Sequence, residues 1–164
     1  MKWFVLALLT AASIVQAGTD AAGLDADERR MVEWIDAHQE AAIALLAETV
    51  NVGSGTMNHE GVRSVGRIMR RELDAVGLDT EWIEMPAEVN RAGHLFGRKD
   101  GDGNKVLLIG HLDTVFEADD PFQSFERNGM QARGPGVDDM KAGNVIIVYA
   151  VSYTHLTLPT NREV

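Results

Sequence analysis

Two short motifs in this sequence contain residue types that can bind a divalent cation. In the first, His111 and Asp113 are two positions apart. In an extended chain both side chains project to the same face, so the carboxylate can accept the imidazole Nδ1 proton and leave Nε2 free for a metal. For this pair alone, a strand end with a hydrogen-bonded histidine is the simpler interpretation.

The second motif is RGPGVDDMK, at residues 133–141. Gly134 and Gly136 allow backbone conformations that other residues avoid, and Asp138 and Asp139 come directly before a hydrophobic segment. Such aspartates can simply cap helix N–H groups. They disfavour a phosphate-binding loop, because carboxylates repel phosphate and no Gly-Lys-Ser/Thr sequence follows. A divalent cation suits the two carboxylates better.

The predicted elements around the motifs bring them together. The apolar run at residues 106–109 predicts a strand buried on both faces that ends at Gly110, and functional groups collect just beyond such strand ends. The 28-residue spacing between His111 and Asp139 leaves room for a hairpin. This hairpin, which turns at Asn128-Gly129, would return the second motif to the end of the strand.

Helices and short strands are predicted in the rest of the chain. In chain order they are helices at residues 25–50 and 58–77, strands at 80–85 and 94–98, and a helix that begins at about residue 140. Asp25 and Glu28 form a capping-box pattern, and Asn58 is the expected cap of the second helix, which Gly77 ends. Together these elements predict an α/β domain.

The two ends of the chain differ from the part between them. Residues 1–17 are typical of a secretory signal peptide, with Lys2 before a 13-residue apolar or small stretch that is too short for a membrane anchor. They predict an exported protein, periplasmic or secreted. Residues 18–150 form the predicted domain. Residues 151–164 form a divergent tail, in which Pro159 and β-branched residues disfavour a continuing helix. A short terminal strand and a translated adapter sequence are both open interpretations of this tail.

The composition restricts the partners and the metal ligands. The chain has 164 residues, 15 lysines and arginines, 25 aspartates and glutamates, a net charge of −10 and no cysteine. This charge argues against a nucleic-acid partner, and the absence of cysteine leaves histidines and carboxylates as the metal ligands.

Taken together, GHLDTVF at residues 110–116 and RGPGVDDMKAGN at residues 133–144 resemble a known family. It is the zinc exopeptidase and amidohydrolase family of glutamate carboxypeptidase, aminoacylase and acetylornithine deacetylase. The family pattern is an apolar strand, then H-x-D-[TV], then G-x-G-x-x-D-x-K, and every motif position has a counterpart here. The resemblance runs from about Asp27 to Ala150 and is closest to the glutamate carboxypeptidase branch.

This resemblance implies a role for each motif residue. His111 would bind one zinc ion, Asp113 would orient and polarise His111, and Asp139 would bridge two zinc ions. The bridging aspartate is typically followed by a cis peptide bond, here Asp139–Met140. Two Zn²⁺ ions, or other divalent ions such as Co²⁺, would activate water and polarise the scissile carbonyl, while a glutamate would act as general base.

Several parts of the family pattern have no counterpart in this sequence. These are the Glu-Glu pair that supplies the general base, the remaining zinc ligands and the lid domain for dimerisation. His38, His59 and His94 are expected on a helix surface, near a cap and in a strand, and no family motif surrounds His155. We therefore expect a truncated N-terminal part of a catalytic domain with a mixed central sheet and flanking helices, inactive by itself.

The resemblance implies a dinuclear zinc hydrolase that cleaves an amide bond adjacent to a free carboxylate. Its substrates would be small peptides or N-acyl amino acids, and its full-length form could be a homodimer without nucleic-acid or membrane partners once the signal is removed. The main alternative is a non-catalytic secreted α/β binding or scaffold module with a vestigial metal site. A nucleotide-binding α/β domain is a third interpretation, which the aspartates in the glycine loop disfavour.

Overall fold

A computed structural model of the chain describes residues 23–101 and 104–156, the last two by their backbone alone. The predicted signal peptide and the end of the predicted tail lie outside these residues. Within the described ranges, no helix is both long and apolar enough to cross a membrane.

Two capped helices open the fold. Helix α1 spans Ala26–Val50, and the Asp25 side chain accepts hydrogen bonds from the N–H groups of Asp27 and Glu28. Glu28 in turn accepts one from the Asp25 N–H, which completes the predicted capping box. Helix α2 spans His59–Ala75, and the Asn58 side chain accepts from the Gly61 N–H, as predicted.

The first pair of strands packs on α2. Strand β1 (Asp79–Ile83) and strand β2 (His94–Arg98) pair antiparallel, joined by a segment with a short 3-10 turn. Gly66 of α2 allows close packing, because a Cβ there would lie 2.5 Å from the Trp82 ring. Both strands agree with the predicted ones to within two residues.

The predicted hairpin is confirmed. Strand β3 (Glu126–Asn128) and strand β4 (Gln131–Arg133) pair antiparallel around a turn in which Gly129 has a φ of 59°. This left-handed conformation favours glycine. The hairpin leads directly into the Gly134–Gly136 loop of the second motif.

The last helix runs further than expected. A kinked turn at Val137–Lys141 leads into helix α3 (Ala142–Leu156), so residues 151–156 continue the helix and do not form a strand. Tyr153 is 9% exposed, and its ring packs edge-on against Trp34 of α1 at 5.5 Å. This packing outweighs the weak helix propensity of the β-branched residues nearby.

The hydrophobic core lies where the three helices meet. It consists of seven buried residues on α1, α2 and α3: Leu45, Leu46, Val50, Val65, Met69, Val145 and Val148. Phe125, from the segment before β3, packs against this cluster. The core therefore fixes α3, and the loop before it, against the end of α1.

The predicted buried strand at residues 106–109 is wrong. Within the described residues this run has no strand partner, and Val106, Leu107 and Ile109 are 77–81% exposed. A strand is buried on both faces only where neighbouring strands and covering layers are present. The described strands form two separate two-stranded sheets. The combination of helices and strands still confirms the α/β class, as in part of a larger catalytic domain.

Candidate metal site

The loop between α1 and α2 holds the end of the first motif. The Thr114 N–H donates to the Ser54 carbonyl at 2.8 Å, and the Thr56 N–H donates to the Thr114 carbonyl at 3.0 Å. These bonds flank a parallel bridge between Gly55 and Thr114. The bridge fixes the position of the segment that carries His111 and Asp113, although the run before it is unpaired.

Ser54 offers a test of how well this loop is packed. It is 1% exposed, and its Oγ has no hydrogen-bond partner within the part of the chain that the structure describes. An unpaired buried hydroxyl destabilises the folded state. We expect Ser54→Ala to leave the free energy of unfolding unchanged or to raise it by about 1 kcal/mol. Urea unfolding of both proteins measures this, and a clear loss of stability would show that the hydroxyl has a stabilising partner.

His111 lies between two carboxylates. Its Nδ1 is 3.0 Å from the Asp113 carbonyl oxygen and 3.3 Å from Asp113 Oδ1. On the other side of the ring, Nε2 is 2.8 Å from Asp139 Oδ1. The structure thus brings together the three residues that the sequence singled out, with Asp113 at Nδ1 and Asp139 at Nε2.

The surroundings of His111 favour its protonated form. Burial by itself lowers the pKa of His111, but the hydrogen bond with Asp139 and the one with the Asp113 carbonyl outweigh burial and raise this pKa above its ordinary value. The imidazole therefore sits in a field of negative charge that attracts a proton or a metal cation.

The glycine loop and the kinked turn at Val137–Lys141 position Asp139. Gly136 has a φ of 74°, and a Cβ there would lie 2.7 Å from Thr114 Cγ2. The second motif can therefore pack this closely on the first only with glycine at this position. The Asp139–Met140 peptide bond is cis, as the family resemblance implied. The Asp139 side chain is 85% exposed and faces His111.

Two residues just after Asp139 anchor the site to the rest of the fold. The buried Lys141 ammonium donates to the Thr49 carbonyl at 2.9 Å and to the Val52 carbonyl at 3.0 Å, beyond the end of α1. Burial lowers the pKa of Lys141 to about 8. Asn144 is buried and donates its Nδ2–H to the His111 carbonyl at 2.6 Å. Both motifs are thereby attached to α1 and α3.

A cavity of about 370 Å³ opens beside these residues. Its lining includes His111, Asp113, Phe116, Phe122, Val137 and Asp139. The Phe116 and Phe122 rings pack edge to face at 5.1 Å, and the Arg133 guanidinium lies 4.8 Å from the centre of the Phe122 ring. The cavity therefore combines one apolar wall with a polar edge formed by the two motifs.

The donor atoms at this edge fit part of a zinc site. Imidazole nitrogen and carboxylate oxygen are the ligands that Zn²⁺ takes in a protein without cysteine, and His111 Nε2 and Asp139 Oδ1 already face each other. Among the described residues, however, no group of three or more suitable side chains could hold a metal ion. Three protein ligands are usual for a catalytic zinc. His111 and Asp139 would therefore supply two zinc ligands, fewer than a catalytic site requires.

The other described histidines lie away from this edge. The His38 ring stacks on Trp34 of α1, and the His59 ring contacts the Asn90 carbonyl at 3.2 Å. His94 begins β2, where its ring packs against Phe96. These places agree with the helix-surface, cap-region and strand roles expected for the three residues.

Comparison with known proteins supports one family for this chain. Residues 107–164 match the family described as peptidase family M20/M25/M40. Carboxypeptidase G2 from Pseudomonas sp. (strain RS-16) is 33% identical to this chain over 118 residues, which cover 69% of the chain and 28% of that relative. Both matches support the M20 family of peptidases for this chain, in agreement with the family resemblance of its two motifs.

A second relative is named for a different reaction. N-formyl-4-amino-5-aminomethyl-2-methylpyrimidine deformylase from Bacillus subtilis (strain 168) is 27% identical over 127 residues, which cover 71% of the chain and 29% of that relative. The chain therefore spans less than a third of the length of either relative. The family and both relatives support the broad class of amide-bond hydrolases.

Three residues that hold the site in place were not predicted from the sequence: Lys141, Thr56 and Asn144. Lys141 carried a signal, because it is the last position of the G-x-G-x-x-D-x-K pattern. Thr56 and Asn144 carried none: a threonine in a glycine-rich loop and an asparagine in a helix are common, and their partners are 57 and 33 residues away. Only the folded chain shows that they contact the first motif.

Proposed function

We propose that this chain forms the metal-binding N-terminal part of a dinuclear zinc hydrolase. This enzyme would cleave an amide bond next to a free carboxylate, in a small peptide or an N-acyl amino acid. The observation that carries the proposal is the 2.8 Å approach of His111 Nε2 to Asp139 Oδ1. The names of the two relatives, a carboxypeptidase and a deformylase, support hydrolysis of this bond type.

In this proposal each motif residue has a distinct task. His111 and Asp139 would be the zinc ligands, and Asp139 has two carboxylate oxygens with which it could bridge two ions. Asp113, as the partner of Nδ1, would keep the imidazole oriented with Nε2 towards the metal. Bound zinc, or another divalent ion such as Co²⁺, would supply water activation and carbonyl polarisation. The adjacent cavity would hold the substrate.

The competing hypothesis is a secreted binding or scaffold module that keeps a vestigial metal site. The incomplete ligand set of the described residues is the observation that favours it. Reading the source locus past the codon for Ala150 separates the two hypotheses. A Glu-Glu pair followed by Asp or Glu and His ligands supports the hydrolase, whereas a genuine stop after Val164 contradicts it for this molecule.

The number of zinc ligands in the two motifs predicts the zinc affinity of the 164-residue chain by itself. With His111 and Asp139 as its only motif ligands, the 164-residue chain should bind zinc weakly, because fewer than three ligands hold the ion. Isothermal titration calorimetry with zinc chloride measures this. Two tight zinc sites per chain would show that other residues also bind zinc.

We also propose that the protein is exported and that its full-length form is a homodimer. The signal-like residues 1–17 support the first proposal, and the family resemblance supports the second. Cell fractionation with mass spectrometry of the mature N-terminus tests export, with cleavage after Ala17 as the expected result. Retention of the intact N-terminus in the cytoplasm would contradict it.

A further inference from the structure

Asp113 has a second partner besides His111. Thr56, from the loop between α1 and α2, donates its hydroxyl to Asp113 Oδ2 at 2.6 Å. The other carboxylate oxygen, Oδ1, lies 3.3 Å from His111 Nδ1, which also has the main-chain carbonyl of Asp113 at 3.0 Å. Each oxygen of Asp113 therefore faces a different neighbour, and Thr56, Asp113 and His111 form a continuous chain of contacts that ends at the proposed metal ligand.

The Thr56 hydroxyl has one proton and two acceptors within reach. The Thr114 carbonyl is 3.3 Å from Thr56 Oγ1, whereas Asp113 Oδ2 is 0.7 Å closer. A short hydrogen bond to a carboxylate is also the stronger kind. The proton therefore goes to Asp113, and the carbonyl contact is secondary.

Thr56 itself is held firmly enough to position a neighbour. Its main-chain N–H donates to the Thr114 carbonyl at 3.0 Å, beside the parallel bridge at Gly55. Threonine is β-branched, so few χ1 rotamers are open to its side chain. The hydroxyl is therefore fixed by a backbone that is attached to the same segment as Asp113.

We propose that Thr56 is a positioning residue, which fixes the rotation of the Asp113 carboxylate and, through it, the imidazole of His111. A carboxylate rotates over a broad range about its last torsion unless both oxygens have partners. Loss of the Thr56 hydroxyl would free Oδ2 and loosen the contact of Oδ1 with Nδ1. The importance of this effect for catalysis rests on the proposed function, but the contact itself does not.

The first test compares Thr56→Val with Thr56→Ser in the metal-free chain. Valine keeps the shape and removes the hydroxyl, whereas serine keeps the hydroxyl. Nitrogen-15 NMR of the His111 ring reports the state of Nδ1–H. We expect the same Nδ1–H chemical shift in the wild type and in Thr56→Ser, and a displaced shift in Thr56→Val, in which the Asp113 carbonyl still lies 3.0 Å from Nδ1. Identical His111 signals in all three proteins would overturn the proposal. Circular dichroism verifies folding, and Thr56→Ala replaces any unfolded valine variant.

The second test measures the affinity for zinc chloride by calorimetry. Removing an outer partner of a metal-binding histidine weakens metal binding about 10–100-fold. Thr56 acts one contact further out, through Asp113, so we expect Thr56→Val to bind zinc more weakly than Thr56→Ser by up to about tenfold. Equal affinities would overturn the positioning role while leaving the proposed function intact. Zinc binding that is insensitive to His111→Ala would contradict the proposed function, and the metal-free NMR comparison would still decide the role of Thr56.

Discussion

Alanine in place of His111 or Asp139 is expected to abolish zinc-dependent amide hydrolysis in a longer form of the protein that supplies the remaining ligands. Removing only an outer partner of a metal ligand costs about 10–100-fold, so removing a ligand should cost more than about 100-fold. The two residues face each other across 2.8 Å, and neither has a substitute among the described residues. Steady-state hydrolysis of an N-acyl amino acid with added zinc measures the loss.

Matched controls separate this effect from a general loss of histidine or carboxylate. His94→Ala removes a histidine that packs against Phe96 in β2, and Asp119→Ala removes an exposed carboxylate. Both variants should keep the wild-type rate. Activity that survives His111→Ala or Asp139→Ala, and that also resists a chelator, would exclude the dinuclear zinc mechanism.

The free energy of unfolding of the wild-type chain, relative to that of Lys141→Met, is expected to rise by on the order of 3 kcal/mol between pH 8 and pH 10.5. Burial lowers the pKa of Lys141 from 10.5 to about 8 in the folded chain. In this pH range the unfolded chain therefore binds a proton that the folded chain has released, so unfolding becomes less favourable as the pH rises. Below this range the lysine is protonated in both states, so the gain is absent.

Urea unfolding of both proteins at a series of pH values, in the presence of a chelator, measures this difference. Methionine approximates the volume of the lysine stem and does not titrate. A change in packing therefore shifts the free energy of unfolding equally at every pH and does not alter its pH dependence. If the difference in free energy of unfolding does not change with pH, the carbonyls of Thr49 and Val52 keep the Lys141 ammonium charged in the folded chain.

The local parts of the fold could be predicted from the sequence, because their signals lie within a few residues of one another. Asp25 and Glu28 form their capping box within one helical turn, and Gly129 turns the β3–β4 hairpin by itself. The meeting of the two motifs was also predictable, since a family pattern fixes the spacing of His111 and Asp139. The structure brings these two side chains together as the spacing suggested.

Features that depend on distant partners could not be predicted. The apolar run at residues 106–109 indicated a buried strand, but burial requires neighbouring strands, and none pairs with it in the described part of the chain. The residues after Ala150 disfavoured a helix, yet packing of Tyr153 on Trp34 outweighs their propensity. Thr56 gives no local signal, because its partner Asp113 lies 57 residues away.

A zinc-edge anomalous difference map from crystals of the chain grown with zinc chloride tests whether His111 and Asp139 bind zinc. We expect an anomalous peak between these two residues, about 2.0–2.1 Å from His111 Nε2, with Asp113 still at Nδ1. A peak on other side chains, with the direct contact between His111 and Asp139 unbroken, would contradict the assignment of these residues as zinc ligands.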